Sequence, residues 1–253
     1  MRIFTLFIAL LISISGFSQV EKIAANVDNR DQGKNMVSTI RLVYKDKNGK
    51  LIKERKIKSW RQWENNKSEK LLLKFMAPAE IKNSAFLSVK TDGKSVQKLY
   101  LPSFGKVRTI GESSENSSFM GSDFNYSDLK SRSISNDALK ILGQTDTYWK
   151  IECILNGKNK YKRRVYLINK NTWLVENIKF YKADVEFPER EMKVDQTEMA
   201  GNIVIAKKVS MTSYKSGTKQ IKSSSEMIMD NYSLNTEIKP EVFTGQNLQK
   251  EEF

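Results

Sequence analysis

Between Val37 and Leu234 the sequence keeps switching polarity with a period of two, and it breaks that period at short turn-forming stretches. Alternate residues of an extended strand point to opposite faces, so this period demands strands with one apolar face. In "VSTIRLVYK", Ile40, Leu42 and Tyr44 share one face while Thr39, Arg41 and Lys45 share the other. Asp46-Lys47-Asn48-Gly49 follows as a hairpin turn, with Asn-Gly its strongest signal, and "LIKERKIKSW" returns as a long charged strand. "EKLLLKFMAP" sets Leu71, Leu73 and Phe75 against Leu72 and Lys74. "SAFLSVKT" puts Ala85, Leu87 and Val89 on one side before an Asp92-Gly93 turn, and "VQKLYLP" and "KVRTIG" complete the first half.

The second half repeats the habit in "TYWKIECIL", "KYKRRVYLIN", "WLVENIKFYK", "EREMKVDQTEM", "NIVIAKKVSMTSY" and "KQIKSSSEMIMDNYSL". Asn156-Gly157, Asn169 to Asn171, Gly201-Asn202 and Ser216-Gly217 fall between these as turns. The expectation is a mainly β chain, an antiparallel meander that curls into a barrel or a deep half-barrel. No Pro/Gly/Ser-rich linker divides it and no solenoid period of 20–50 residues appears, so residues 19–253 are expected to form a single domain.

Helical signals are few. "VEKIAANVDNRDQG", with Ile23, Val27 and a closing Gly33, suits a short N-terminal helix. "SDFNYSDLKS" and "NDALKILG" each suit a helical turn or two. Ser122 or Asp123 would cap the first and Asn136 or Asp137 the second, with Gly143 ending it.

Residues 1–18 stand apart from this pattern. Met1-Arg2 supplies a positive start, Ile3 to Ile14 is nearly all apolar, and Gly16-Phe17-Ser18 is a small-x-small cleavage pattern. That combination is a signal peptide, cleaved after Ser18 or Gln19, because the run is shorter than the roughly 20 residues a membrane span needs. No cysteine follows the run, so no lipid anchor is expected there, and the chain is expected in the periplasm with no transmembrane segment in its mature form.

The chemistry on offer is sparse. The chain has no histidine and one cysteine, Cys153. Histidine-based triads, the usual zinc sites and thiolate clusters are therefore excluded, and the glycines are dispersed rather than gathered into a phosphate loop. No cofactor and no metal are expected. Asp123 and Asp128 are a conceivable carboxylate pair, but capping and turn formation explain them more simply, so the chain is read as no enzyme. Cys153 alternates with Trp149, Ile151 and Leu155 and reads as a small buried hydrophobe. The net charge of +14 comes from scattered lysines that suit a solvated strand face. Attraction to anionic membranes is a weaker reading, and secretion argues against nucleic acid as a partner.

One stretch interrupts the strands. In "SSFMGSDFNYSDL", Phe119, Met120, Phe124 and Tyr126 crowd around Gly121, which would let the chain leave the sheet, and around two aspartates. Together with "KFMAPAEIKNSAFLSVK" and "QKLYLPSFGKVRTI" before it, and "WLVENIKFY" and "IKPEVFTGQNL" after it, this stretch resembles the outer-membrane lipoprotein-sorting proteins, the LolA-like periplasmic family. The resemblance runs from about Asp31 to Leu248, and its most specific part is F-x-G-S-D-F-x-Y-x-D-L.

The resemblance implies a half-open antiparallel β-barrel with short helices forming a lid over an apolar cavity. It also implies a carrier that holds acyl chains of lipoproteins or other lipids and moves them toward the outer membrane, between an inner-membrane transporter and an outer-membrane acceptor. A related barrel in lipid-sensing periplasmic proteins implies the alternative, an interaction module acting through a membrane protein partner. On the carrier reading the candidate cavity or mouth residues come from the strand faces, namely Leu73, Phe75, Leu87, Leu99 and Leu101 in the first half and Trp149, Ile151, Leu167, Phe180 and Met211 in the second. Phe119, Met120, Phe124 and Tyr126 join them as lining or gate, or else plug the barrel end.

Overall fold

The computed structural model describes residues 19–250 apart from 66, 136, 156–159 and 183–184. The expected signal peptide, the Asn156-Gly157 turn and the Asn136 cap lie outside the described residues.

The strands begin as the period of two requires. β1 (Asn35–Lys45) buries Leu42 and Tyr44 on one face. Asp46 ends it, because its Oδ1 accepts from the backbone N–H groups of Asn48 and Lys50, both at 2.9 Å, and Gly49 takes the left-handed φ of +79° that closes the turn. The chain then meanders through β2 (Leu51–Asn65), β3 (Ser68–Ala77), β4 (Ala85–Thr91), β5 (Lys94–Leu101) and β6 (Lys106–Ile110). A second meander follows through β7 (Ala138–Gln144), β8 (Tyr148–Ile154), β9 (Arg163–Asn169), β10 (Val175–Tyr181), β11 (Arg190–Ala200), β12 (Ile203–Tyr214) and β13 (Ile221–Leu234).

Among the described residues these strands make one antiparallel sheet in the order β6-β5-β4-β3-β2-β1-β13-β12-β11-β10-β9-β8-β7. The two meanders meet where β1 pairs with β13, with Leu42 opposite Met227. β6 and β7 are the two free edges, so the barrel is half open, as the resemblance implies. Inward residues of β3 and β4, such as Phe75 and Phe86, share a single core with Ile151 of β8 and Phe180 of β10. Strands so far apart in the order can share a core only if the sheet curls.

Residues 19–28 form helix α1. Val20, Ile23 and Ala24 are buried and Val27 packs on the same core, the i, i+3, i+4, i+7 spacing of one helical face. The helix ends at Asp28 rather than at Gly33. Gly33 instead donates its N–H to Asp31 Oδ1 at 2.9 Å in the link to β1.

Ala138–Gly143 of the segment "NDALKILG" are strand and not helix. Leu139 and Ile141 alternate toward the core, and Leu139 pairs with Cys153 and Ile141 with Ile151 in the neighbouring β8. A continuous ladder satisfies every second backbone group and overrides a local cap signal. Asp137 accepts from Arg132 Nη2 at 2.5 Å and from Cys153 Sγ at 3.1 Å instead of capping, and Gly143 sits inside β7 beside a register shift.

The outer face of β3 and β4 is also covered. Leu72, Ala85 and Leu87 point there and pack against Ile238, Phe243 and Leu248 of the chain's last segment. Lys74 Nζ reaches the same segment, donating to the Lys250 carbonyl.

Candidate functional site

The link from β6 to β7, residues 111–137, crosses the inner face of the curled sheet. The chain leaves the sheet at Ile110, eleven residues before Gly121, so Gly121 is not the exit hinge. Met120 and Gly121 take consecutive left-handed φ values of +52° and +78°, and this turn doubles the chain back. Phe119 N–H then donates to the Phe124 carbonyl at 2.7 Å. A left-handed methionine costs roughly 1–2 kcal/mol, which burial of its neighbours offsets.

Those neighbours plug the barrel. Phe119 is fully buried and Phe124 and Tyr126 nearly so. The Phe119 ring lies 6.0 Å from Phe75, 5.7 Å from Phe86 and 5.5 Å from Tyr126. Fully burying one such side chain is worth about 1.5–3 kcal/mol, and each ring pair adds about 0.5–1.5 kcal/mol.

Polar straps hold the plug to both meanders. From the first meander, Tyr44 Oη and Arg55 Nη1 donate to the Met120 carbonyl at 3.1 and 2.6 Å, Arg61 Nη2 to Leu129 O and Gln97 Nε2 to Tyr126 O at 3.2 Å. Burial pushes the Tyr44 phenol up to about 12, against the lowering influence of Arg55 beside it.

From the second meander, Arg190 donates to Asp128 at 2.7 and 3.3 Å, to Asp123 O at 2.8 Å and to the Tyr161 hydroxyl at 2.7 Å. Ser223 and Ser225 donate to the Asp123 carboxylate at 2.6 and 2.8 Å. α1 joins through Asp28, which accepts from the Ser133 and Ser135 hydroxyls and from Ile134 N–H.

The two aspartates therefore brace the plug. Asp128 closes a capping box with Asn125, its Oδ2 accepting Asn125 N–H at 2.7 Å. The cap of that turn is Asn125 and not Ser122 or Asp123.

Below the plug lies an apolar cavity of about 270 Å³. Phe124 and Leu129 form its roof, Ile57, Leu71 and Leu73 one wall, and Val209, Met227 and Met229 the other. Two donors on its lining, Ser38 Oγ and Trp63 Nε1, are buried without a hydrogen-bond partner. Arg30, Gln32, Trp63 and Met192 belong both to this lining and to a wider cleft of about 640 Å³ that Trp173 also borders. That cleft is the vestibule of the cavity.

Of the residues selected from the sequence, Leu73 and Phe124 line the cavity. Phe75, Phe119, Tyr126, Ile151, Phe180 and Met211 are in the packed core around it, and Leu99, Met120 and Trp149 are half-buried against that core. Leu101 alternates with the outward Tyr100 and follows Leu99 on its face. Leu87 lies on the outer face under the last segment, and Leu167 alternates with the inward Tyr166 and Ile168. The selection omitted Met227, Met229 and Val209. Their alternation in "EMIMDNY" and "KKVSM" was the available signal. Cys153 is buried and free, and burial with the adjacent Asp137 pushes its thiol up to about 12.

A half-open antiparallel barrel, plugged by its own crossing segment above an apolar cavity, defines a LolA-like fold. The chain belongs to the family whose model, described as "Uncharacterized protein", matches residues 67–250. No curated protein sequence matches it. Solved structures share the fold. A domain assigned by name to outer-membrane lipoprotein sorting, from Vibrio parahaemolyticus, is 22% identical with a TM-score of 0.80 over 91% of this chain and 98% of that one. A DUF1329 family protein from Desulfovibrio piger is 18% identical with a TM-score of 0.81, over 92% and 99%. A LolA superfamily protein from Nitrosomonas europaea is 13% identical with a TM-score of 0.64, over 89% and 97%.

Proposed function

We propose that the chain is a periplasmic carrier that shelters an acyl chain in the cavity beneath Phe124 and Leu129. Residues 1–18 act as its signal peptide and residues 19–253 as one carrier domain, which takes a lipoprotein or lipid from an inner-membrane transporter toward an outer-membrane acceptor. The observation that carries this reading is the 270 Å³ apolar cavity. Keeping acyl surface out of water is worth about 25 cal/mol per Å², and most of the cavity lining is methionine, leucine, isoleucine and valine, with Arg30, Arg61, Asp128 and Lys207 also on it. Its size is near the lower end of ordinary ligand sites, about 300–1,000 Å³, so it suits part of one chain, with the remainder in the vestibule. Ser38 Oγ and Trp63 Nε1 are donors suited to the carbonyl oxygen of an acyl ester or amide, which would fill their missing bonds.

Titration with a fluorescent fatty acid tests this. The expected result is saturable uptake, displaced by unlabelled palmitate and weakened by Trp63→Phe. No saturable uptake, or uptake indifferent to palmitate, contradicts the reading.

A further inference from the structure

One end of the sheet carries a surface unlike the other. The β1–β2 turn (46–50) and the β12–β13 turn (215–220) lie side by side there, because β2, β1, β13 and β12 are consecutive. Lys45 pairs with Leu51 on one side and with Ser224 on the other. A strand spacing of about 4.8 Å sets the two hairpins roughly 10 Å apart.

Residues 45–53 and 215–222 together hold seven lysines and one aspartate. Lys45 is paired with Glu226 at 2.7 Å. Lys47, Lys50, Lys53, Lys215, Lys219 and Lys222 are exposed, and among the described residues none of these six forms an ion pair. The aspartate, Asp46, is turned inward onto its own loop. Amid the lysines stand three exposed aliphatic side chains, Leu51 at 57%, Ile52 at 62% and Ile221 at 43%.

The turns at the opposite end, 65–68, 91–94, 145–148, 170–173 and 200–203, carry three lysines and two aspartates. The charge is therefore not a uniform coat. Aliphatic tips set within unpaired lysines match a headgroup layer, where apolar side chains enter the interface and ammonium groups meet phosphates.

We propose that this end docks on the surface of an anionic phospholipid bilayer. Behind the tips a polar hollow of about 520 Å³ is lined by Lys45, Lys53 and Lys222 but also by the Asp123 and Glu189 carboxylates, so headgroup phosphates meet the exposed lysines of the two hairpins rather than the hollow. The vestibule beside Trp63 and Trp173 is at the other end of the strands, so docking in this orientation leaves the cavity mouth facing away from the bilayer. The inference does not depend on the carrier reading.

Sedimentation of the purified chain with vesicles tests it, using phosphatidylglycerol mixed with phosphatidylcholine, phosphatidylcholine alone, and heparin as a soluble polyanion. The expected result is binding to the anionic vesicles at low salt that falls as salt rises, with little binding to phosphatidylcholine. Lys219→Glu with Lys222→Glu lowers vesicle binding by about tenfold or more, and Leu51→Ser with Ile52→Ser lowers it severalfold, while fatty-acid uptake and Tm stay at wild-type values. Failure to bind anionic vesicles, equal binding to neutral ones, binding to heparin without vesicles, or variants that bind like the wild type would each overturn the proposal.

Discussion

Arg190→Met removes the strap between the second meander and the plug. Both partners of the Arg190–Asp128 pair are out of water, with side-chain exposures of 5% and 8%. The guanidinium also donates to Asp123 O and to Tyr161 and lies 4.8 Å from the Phe180 ring. Methionine keeps part of the packing on Phe180 but leaves the Asp128 carboxylate buried and uncompensated. Removing one partner of a buried pair costs about 3–5 kcal/mol, a large share of a total stability of about 5–15 kcal/mol. For a chain of this size that is a fall in Tm of about 6–20 °C. Asp128→Asn keeps an oxygen for the Asn125 N–H and removes the charge. The double variant is therefore expected to lose less stability than Arg190→Met alone. Urea unfolding at pH 7, followed by tryptophan fluorescence, measures all four corners of the cycle. A cost below about 1 kcal/mol for Arg190→Met, or a double variant whose loss equals the sum of the singles, would refute the view that this pair holds the plug.

Other consequences follow from burial. Ser59→Phe projects a ring into the cavity from the centre of β2, so fatty-acid affinity falls tenfold or more with little change in Tm, and unchanged affinity would place the acyl chain elsewhere. Leu248→Ala empties a fully buried position on the outer face and costs about 2–5 kcal/mol. A loss under about 1 kcal/mol in thermal unfolding would show that the last segment contributes little there. Cys153 and Tyr44 are both held protonated up to about 12, above their ordinary 9.0 and 10.0. The unfolded chain releases these protons first as pH rises, so their contribution is complete below pH 9 and is lost between pH 9 and 12. A urea midpoint that falls from pH 8 to pH 10.5, and falls less in Cys153→Ala, is the expected result, and rapid reaction of the native thiol with Ellman's reagent at pH 8 would contradict it.

Local chemistry made much of this fold legible. The Asp46 to Gly49 turn, the alternation of Leu71, Leu73 and Phe75 against Leu72, and the shared face of Ala85 and Leu87 all rest on neighbours within a few residues, but which side of the sheet that last face takes does not, and Leu87 was expected at the cavity and lies on the outer face. β7 was misread because Asn136-Asp137 and Gly143 imitate helix ends, whereas the ladder with β8 decides the conformation. The candidate site was legible in part. "SSFMGSDFNYSDL" announced an apolar turn and left open whether its rings line a mouth or plug the barrel end, but not that the roles divide, with Phe119 and Tyr126 in the packed core and Phe124 roofing a cavity. The missed wall shows the reason. Ile40 stands opposite Met229, and Met36 shares the cavity lining with Met227, only because the first and last strands pair, across nearly two hundred residues of chain. No local period encodes that closure.

Native mass spectrometry of the chain isolated from the cells that make it asks whether the space beneath Phe124 and Leu129 holds an acyl chain. The expected result is a species heavier than the polypeptide by the mass of one lipid or acyl group, released on collisional activation and absent in Ser59→Phe. A bare polypeptide mass under the gentlest conditions, with the fold intact, would contradict it.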